Sequence, residues 1–360
     1  MKLLLPAILC LLFFSAQLPA NTSPMPSHAV VLLYHHVAED TPAITSIKPK
    51  LFKQQLAYLN DDNFKVWPLL KIVTAIQNKQ TIPDKVVAIT FDDSYQSVYD
   101  QAYPLLKSYD WPFTIFVATD AIDGGYNHQT SWEQLRTMAA NGATISNHSA
   151  SHAHLLKRLD NENKTQWLER VTTDINKAQR RIKEEIKTEN TLFAYPYGEN
   201  NQALRDLVNN LGYVGFGQQS GAMGEFSDQL NLPRFPLAGN YSDINDFALK
   251  VHTVDLPVVS LQHPDSPLPH TQTKPTMMMV LADSFINKNS LQCFASNQGT
   301  VTLQWGEANT VTATPDQNIP QGRSRYNCTA VFDAKTQPIR YYWFSMPWLR
   351  LGEQGEWPPE

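Results

Sequence analysis

Short apolar runs alternate with helical patterns from about residue 29 to about residue 248. Apolar runs bounded by turn residues predict strands, and apolar residues repeated at intervals of three and four predict helices packed on those strands. This alternation is typical of a parallel α/β sheet or barrel. The predicted strands cover residues 30–34, 86–91, 113–117, 143–147, 191–195 and 213–216.

Two predicted helices have clear signals at their ends or faces. Ser131 is a suitable N-cap for a helix that ends before Gly142. A longer, more polar helix is predicted over residues 163–187, with one apolar stripe facing the core. The residues of that stripe are Trp167, Val171, Ile175, Ala178 and Ile182.

The pattern changes after about Val251. Five prolines fall between residues 256 and 276, and helical periodicity is absent from there on, so this stretch is interpreted as a linker or a crossover strand. Residues 277–360 contain short β-branched or aromatic runs separated by turns, which predict a β-sandwich. Its many aromatic residues could form a sugar-stacking platform or simply fill the core.

The N-terminus is interpreted as a secretory signal peptide over residues 1–20, with Lys2 before an apolar run. No later run reaches the ~20 residues that span a bilayer, so an exported protein, periplasmic or secreted, is expected after cleavage. A lipoprotein site at Cys10 is the less favoured alternative. Cys293 and Cys328 then remain, and in an exported chain they favour a disulfide. Residues 21–255 would form the barrel domain.

The overall composition excludes two classes of protein. With 42% hydrophobic and 18% charged residues, the chain is not a disordered tail. Its net charge of -5 argues against nucleic acid as a partner, because phosphate backbones attract basic surfaces.

Four polar clusters stand at the carboxyl ends of predicted strands, namely residues 34–36, 90–93, 147–152 and 194–198. The strand ends of a parallel β/α barrel converge on one face, where active sites lie. We therefore expect these clusters to form one site.

His148 and His152 are four residues apart, so on one helical turn or in a tight loop both imidazoles can face one divalent cation. Taken alone, such a pair is more often structural. Asp93 is the natural third ligand, and two imidazoles with one carboxylate favour zinc. Asp92 would then be the base that deprotonates the attacking water, which predicts a hydrolase.

These residues resemble the polysaccharide deacetylases of carbohydrate esterase family four, which share the NodB homology domain. The matching motifs are Thr90-Phe91-Asp92-Asp93, His148-Ser149-x-x-His152 and Pro196-Tyr197-Gly198, within residues 29–240. The resemblance implies a distorted β/α (TIM-like) barrel and metal-dependent removal of N- or O-acetyl groups. It also implies that Asp92 is the base, that the metal ligands are those named above, and that the Tyr197 backbone N–H donates to the oxyanion.

The sequence departs from the usual family pattern at three places. Ser94 replaces a glycine, and we expect little change in the loop because many such positions do not require positive φ. Ala194-Tyr195 replaces a motif that begins with arginine, and Arg234 from the next strand could supply that charge. An ordinary surface ion pair is the alternative for Arg234.

The third departure concerns the catalytic acid, which in the family is usually a late histidine. Here Tyr34-His35-His36 ends the first predicted strand, as in the circularly permuted subgroup that deacetylates poly-N-acetylglucosamine. We expect His35 to be the acid, since imidazole can protonate a leaving amine near neutral pH. The rival candidate is His263, in the proline-rich stretch.

The sequence therefore predicts an exported, metal-dependent deacetylase of an N-acetylated amino-sugar polysaccharide. One alternative is a catalytically inert polysaccharide-binding or assembly protein that keeps the barrel as a scaffold. The other is a de-O-acetylase of another glycan.

Overall fold

A computed structural model describes residues 27–282 and 288–358. The predicted signal peptide, residues 1–20, lies outside the described residues. So do residues 359–360 at the end of the predicted β-sandwich.

A curled sheet of nine strands, counted over the described residues, forms the N-terminal part of the structure. Eight of these strands run parallel, and the antiparallel strand Ala222–Gly224 extends the sheet beside His28–Tyr34. His28–Tyr34 and Val86–Asp92 are buried along their whole length, because helices and loops cover both faces of such a sheet. The nine strands are His28–Tyr34, Lys65–Val66, Val86–Asp92, Phe113–Val117, Ala143–Asn147, Leu192–Ala194, Val214–Phe216, Ala222–Gly224 and Phe235–Pro236.

The sheet is a half-barrel, and one segment of chain lies across its opening. Leu232 forms a bridge with Phe216 at one edge, and Phe235 pairs with Leu32 at the other edge. Residues 232–236 therefore connect the two sides of the curled sheet. The predicted fold class, a distorted β/α barrel followed by a β-sandwich, is confirmed in this half-barrel form.

The two helices with clear sequence signals form as predicted. Ser131 and Gln134 make a reciprocal capping box at the start of Trp132–Ala139, and Asn163 with Gln166 does the same for Lys164–Ile186. All five residues of the predicted stripe on the long helix are buried. The helices are Pro49–Asp61, Leu69–Gln77, Val98–Ala102 (a π-helix), Tyr103–Ser108, Thr119–Asp123, Trp132–Ala139, Lys164–Ile186, Gln202–Asn210 and Ile244–Val251.

In the described C-terminal residues, sheets of five and four strands pack together around one hydrophobic core. The residues predicted as a linker or crossover strand, 256–276, contain the strand Val258–Gln262, which pairs with Met277–Leu281. Pro257 and Pro264 lie on either side of that strand and leave its pairing intact. The strands are Val254–Asp255, Val258–Gln262, Met277–Leu281, Gln292–Ala295, Gly299–Thr300, Thr302–Trp305, Thr310–Thr314, Gly322–Asp333 and Arg340–Arg350.

The sandwich is anchored to the half-barrel by a buried arginine. Arg340 donates to both carboxylate oxygens of Asp84, at 3.0 and 2.9 Å, and to the His252 carbonyl at 3.0 Å. A guanidinium that donates two hydrogen bonds to one carboxylate fixes the orientation of the two groups as well as their distance.

In the part of the chain that the structure describes, none of the helices combines the length and apolarity needed to cross a bilayer.

The predicted disulfide is confirmed. Cys293 and Cys328 face each other on adjacent antiparallel strands and are bonded across a separation of 35 residues. Closing a loop of that size lowers the conformational entropy of the unfolded chain, which stabilises the folded protein by roughly 3 to 4 kcal/mol.

Removing this disulfide should destabilise the sandwich and leave catalysis largely intact. A Cys293→Ala, Cys328→Ala double variant should unfold at a lower temperature by calorimetry, with the loss of stability given above. Catalysis should persist because both cysteines belong to the sandwich core. An unchanged melting temperature would contradict a stabilising role for the bond.

Candidate active site

The polar clusters predicted from the sequence lie together at the carboxyl ends of the parallel strands. Asp92 is the last residue of its strand, and His148 directly follows Ala143–Asn147. His35 follows His28–Tyr34, and the turn Pro196–Gly198 comes just after Leu192–Ala194. The convergence follows from the parallel direction of these strands.

Asp93, His148 and His152 form a compact set of potential metal ligands. The Asp93 Oδ1 atom is 3.4 Å from His148 Nε2 and 3.1 Å from His152 Nε2. The three ligand atoms lie within 4.8 Å of one another. Two imidazoles and one carboxylate leave coordination positions for water and substrate, as in catalytic zinc sites.

The surroundings of His148 Nε2 and Asp93 Oδ1 favour the binding of a cation. His148 Nδ1 lies 2.7 Å from the Ala194 carbonyl, which only accepts, so the ring proton sits on Nδ1 and the Nε2 lone pair faces the site. Among the described residues, buried Nε2 of His148 and Oδ1 of Asp93 have no hydrogen-bond partner. Buried polar atoms are rarely left unsatisfied, so the three residues fit a divalent metal ion.

The ionisation of Asp93 suits the same role. Burial raises the pKa of its carboxyl, but the neighbouring His148 and His152 imidazoles outweigh burial and hold the pKa well below its ordinary value. The carboxylate is therefore in the ligating form at neutral pH.

The two histidines lie in a loop, not on a helical turn. Ser149 and His152 adopt left-handed backbone conformations, with φ of 66° and 53°. Asn147 Oδ1 accepts from the Ser149 N–H at 2.9 Å, and Asp174 on the long helix accepts from the Ser151 N–H at 3.1 Å. Side chains thus hold the turn that aims both imidazoles at one point.

The assumption that position 94 does not require positive φ is wrong. Its φ is 56°, and that of Asp93 is 68°, so the position does use the left-handed region that favours glycine. The Thr130 N–H donates to the Ser94 carbonyl at 3.0 Å and helps to fix the turn. Serine is accepted here at a conformational cost.

Arg234 is fully buried and binds Asp92 through both ends of its guanidinium group. Its Nη1 and Nη2 atoms lie 2.7 and 2.8 Å from the two Asp92 oxygens, and Nε donates to the Gly217 carbonyl at 2.9 Å. Burial raises the pKa of Asp92, but Arg234 and His148 outweigh it and hold the pKa below its ordinary value. This pair is not the surface ion pair considered from the sequence.

His35 and His263 lie in different surroundings. Burial lowers the pKa of His35, and the charges that act on it are those of the site residues Asp93, Asp92, Arg234 and His148. Burial also lowers the pKa of His263, but its charged neighbours are Arg205, Asp265 and Asp228, and its Nδ1 is 2.7 Å from the Pro264 carbonyl.

Tyr197 lies in the turn after Leu192–Ala194 with a left-handed φ of 59°. Its ring stacks on His154 at 4.1 Å and lies 4.7 Å from the His152 ring, while the Arg323 guanidinium is 5.1 Å from the Tyr197 ring centre. The Glu199 carboxylate bridges His154 and Arg323. Its Oε2 atom lies 2.8 Å from His154 Nδ1, and its Oε1 atom lies 2.6 Å from Arg323 Nη2. The sandwich thus contributes Arg323 to the support of this turn.

Sequence reasoning missed Glu199 and Arg323. Glu199 follows the Pro196-Tyr197-Gly198 motif directly, and this adjacency was the available signal. Arg323 is 124 residues further along the chain, and nothing local marks it.

Comparison with known proteins gives consistent matches. A family model described as polysaccharide deacetylase matches residues 79–216. A poly-beta-1,6-N-acetyl-D-glucosamine N-deacetylase of Escherichia coli (strain K12) is 23% identical over 267 residues, which are 64% of this chain and 40% of that protein. The chain thus spans about two fifths of that relative's length.

A Staphylococcus epidermidis protein with the same name is 29% identical over 197 residues, covering 52% of this chain and 67% of its own length. Among solved structures, the Streptococcus pyogenes deacetylase PplD in complex with acetate gives a TM-score of 0.57 at 24% identity, covering 63% of this chain and 99% of that one. IcaB from Ammonifex degensii gives 0.56 at 23% identity, covering 62% and 97%. These structural likenesses bear on the fold.

Proposed function

We propose that this chain, whose residues 79–216 match the polysaccharide deacetylase family model, is an exported, metal-dependent N-deacetylase of a poly-N-acetylglucosamine-like polysaccharide. The observation that carries the proposal is the pairing of two units: a ligand set of Asp93, His148 and His152, and an adjacent carboxylate, Asp92, fixed by Arg234. A metal ligand set beside a separate base is what hydrolysis of an amide requires.

Each residue has a distinct role in the proposed reaction. A divalent cation held by the three ligands, with zinc favoured by the donor set, would supply Lewis acidity toward the acetyl carbonyl. Asp92 accepts a proton from the attacking water, and Arg234 keeps its carboxylate ionised and correctly oriented. The Tyr197 backbone N–H donates to the tetrahedral oxyanion.

His35 completes the reaction as the general acid. It donates a proton to the nitrogen of the sugar while the C–N bond breaks, so that acetate and a free amine leave. Its support is its place among the charges of Asp92 and Asp93, at the end of the first strand. The charges that act on His263, the rival acid, are those of Arg205, Asp265 and Asp228.

The substrate class and the compartment rest on separate observations. The Escherichia coli and Staphylococcus epidermidis relatives are named as deacetylases of N-acetylglucosamine polymers, which favours N-acetyl over O-acetyl groups. The disulfide supports a location outside the cytoplasm. Export by the predicted signal peptide, to the periplasm or the medium, is part of the proposal.

The proposal is tested by measuring acetate release from a β-1,6-linked N-acetylglucosamine pentamer, from a chitin oligomer and from an O-acetylated xylan. We expect the β-1,6-linked pentamer to be the best substrate. Preference for the xylan would support the de-O-acetylase instead, and no release from any of the three would support an inert binding protein.

Replacing His35 by alanine should slow amide hydrolysis by about 100-fold through kcat, because the leaving amine needs a proton. An aryl acetate has a leaving group that departs without one, so its hydrolysis should be nearly unaffected. Comparing both substrates on the same enzyme preparation separates loss of the acid from general damage.

His263→Ala is the matched control and should keep both activities. An active His35 variant together with a folded but inactive His263 variant would show that the acid comes late in the chain. The permuted order would then be wrong.

A further inference from the structure

A cavity of about 490 Å³ lies between the half-barrel and the C-terminal sandwich. The half-barrel side includes Phe226 and Ser227, and the sandwich side includes Asp255 and Trp343. This volume is within the range of ordinary ligand sites, and clefts between domains are common places for them.

The Asp255 carboxyl group in this cavity lacks a cationic partner. Ser227 hydrogen-bonds to it, and no charged group of the described chain acts on it. Burial raises the pKa of this carboxyl well above its ordinary value. A cation bound beside this carboxyl group would lower that pKa and favour the ionised form, so the site has the character of a cation-binding position.

The remaining charges of the cavity are also mainly acidic. Asp228 lies 4.0 Å from Arg205, and Asp265 accepts from the Gln202 N–H at 3.1 Å. Arg205 is therefore already paired with Asp228, and Asp265 is bound to a backbone N–H. Asp255 is the carboxyl group of the cavity that remains for a ligand.

Aromatic side chains form part of the cavity wall. Trp343 donates from its ring nitrogen to Ser345 at 3.0 Å, which fixes the orientation of the indole. Phe226 is 36% exposed. Fixed aromatic rings beside polar groups suit a sugar, which has an apolar face and polar edges.

A smaller cavity adjoins the larger one. A second cavity of about 80 Å³, lined by Tyr197 and Gly198, shares Arg205, Asn231 and His263 with the larger one. The Tyr197 ring also lies close to His152. The smaller cavity therefore lies between the larger one and the Tyr197 turn of the candidate active site.

We propose that the cavity binds a de-N-acetylated hexosamine unit, with its ammonium group at Asp255 and its ring against Trp343 and Phe226. This inference rests on the proposed function, because deacetylation is what produces the amine. An N-acetylated unit has no positive charge for Asp255, so the cavity distinguishes product from substrate and would hold the polymer after the first acetyl groups are removed.

The test is equilibrium binding measured by calorimetry, with a fully de-N-acetylated glucosamine tetramer and its N-acetylated counterpart. The wild-type protein should bind the amine form at least about tenfold more tightly, as expected for a hydrogen bond between charged groups. Asp255→Asn should remove that preference while the hydrolysis of an aryl acetate stays unchanged. Trp343→Ala should weaken both tetramers.

Asp61→Asn, which removes an exposed carboxylate that does not line the cavity, is the matched control for net charge and should keep the preference. Equal binding of the two tetramers by the wild type, or an unchanged preference in Asp255→Asn, would overturn the inference. Because binding is measured without turnover, failure here leaves the proposed deacetylase activity standing, and an inactive protein could still show the preference.

Discussion

Replacing His148 by alanine should remove the metal and the deacetylase activity together. His148 Nε2 faces Asp93 and His152 from a buried position, and its tautomer is fixed by the Ala194 carbonyl. Even loss of an outer partner typically weakens a metal site by 10- to 100-fold, so loss of this ligand should cost more than about 100-fold in affinity. Metal content by mass spectrometry and acetate release measure the two effects on one sample.

His270→Ala is the matched control, since this histidine is exposed and does not belong to the ligand set. It should retain both metal and activity. A His148→Ala, His152→Ala double variant that still held stoichiometric metal would exclude the proposed ligand set.

Replacing Asp92 by asparagine should separate metal binding from catalysis. Its carboxylate is engaged by Arg234, and its Oδ2 lies 3.9 Å from His148 Nε2, so it is not placed as a member of the compact ligand set. The variant should keep the metal and lose at least about 100-fold in kcat, the usual contribution of a positioned base.

Two outcomes would contradict this role for Asp92. A variant that turned over near the wild-type rate would mean that another group accepts the proton. A variant that lost the metal as well as the activity would make Asp92 a ligand. Thermal unfolding must be checked in parallel, because the change leaves the buried Arg234 without its counter-charge.

Much of the half-barrel could be predicted from the sequence because its strands are buried on both faces. Phe113–Val117, a short and mostly apolar run, and Ala143–Asn147, which begins directly after Gly142, both have the predicted bounds. The strand ends in turn place the polar clusters on one face. The grouping of Asp93 with His148 and His152 follows from this local reasoning and the parallel direction of the strands.

Features that depend on distant contacts could not be predicted in the same way. Arg234 reaches Asp92 only because residues 232–236 lie across the open side of the sheet, a pairing between segments about 200 residues apart. The link between Glu199 and Arg323 depends on how the sandwich packs on the half-barrel. The φ of Ser94 is set by the turn, which overrides the preference of its side chain.

The most direct test of the central claim is acetate release from the β-1,6-linked N-acetylglucosamine pentamer before chelation, after chelation and after Zn²⁺ is restored. We predict release by the wild-type protein, loss of release on chelation with the fold retained by circular dichroism, and recovery with zinc. The His148→Ala variant should not recover. Undiminished release from metal-free protein, or no release from the zinc-loaded wild type, would contradict the account.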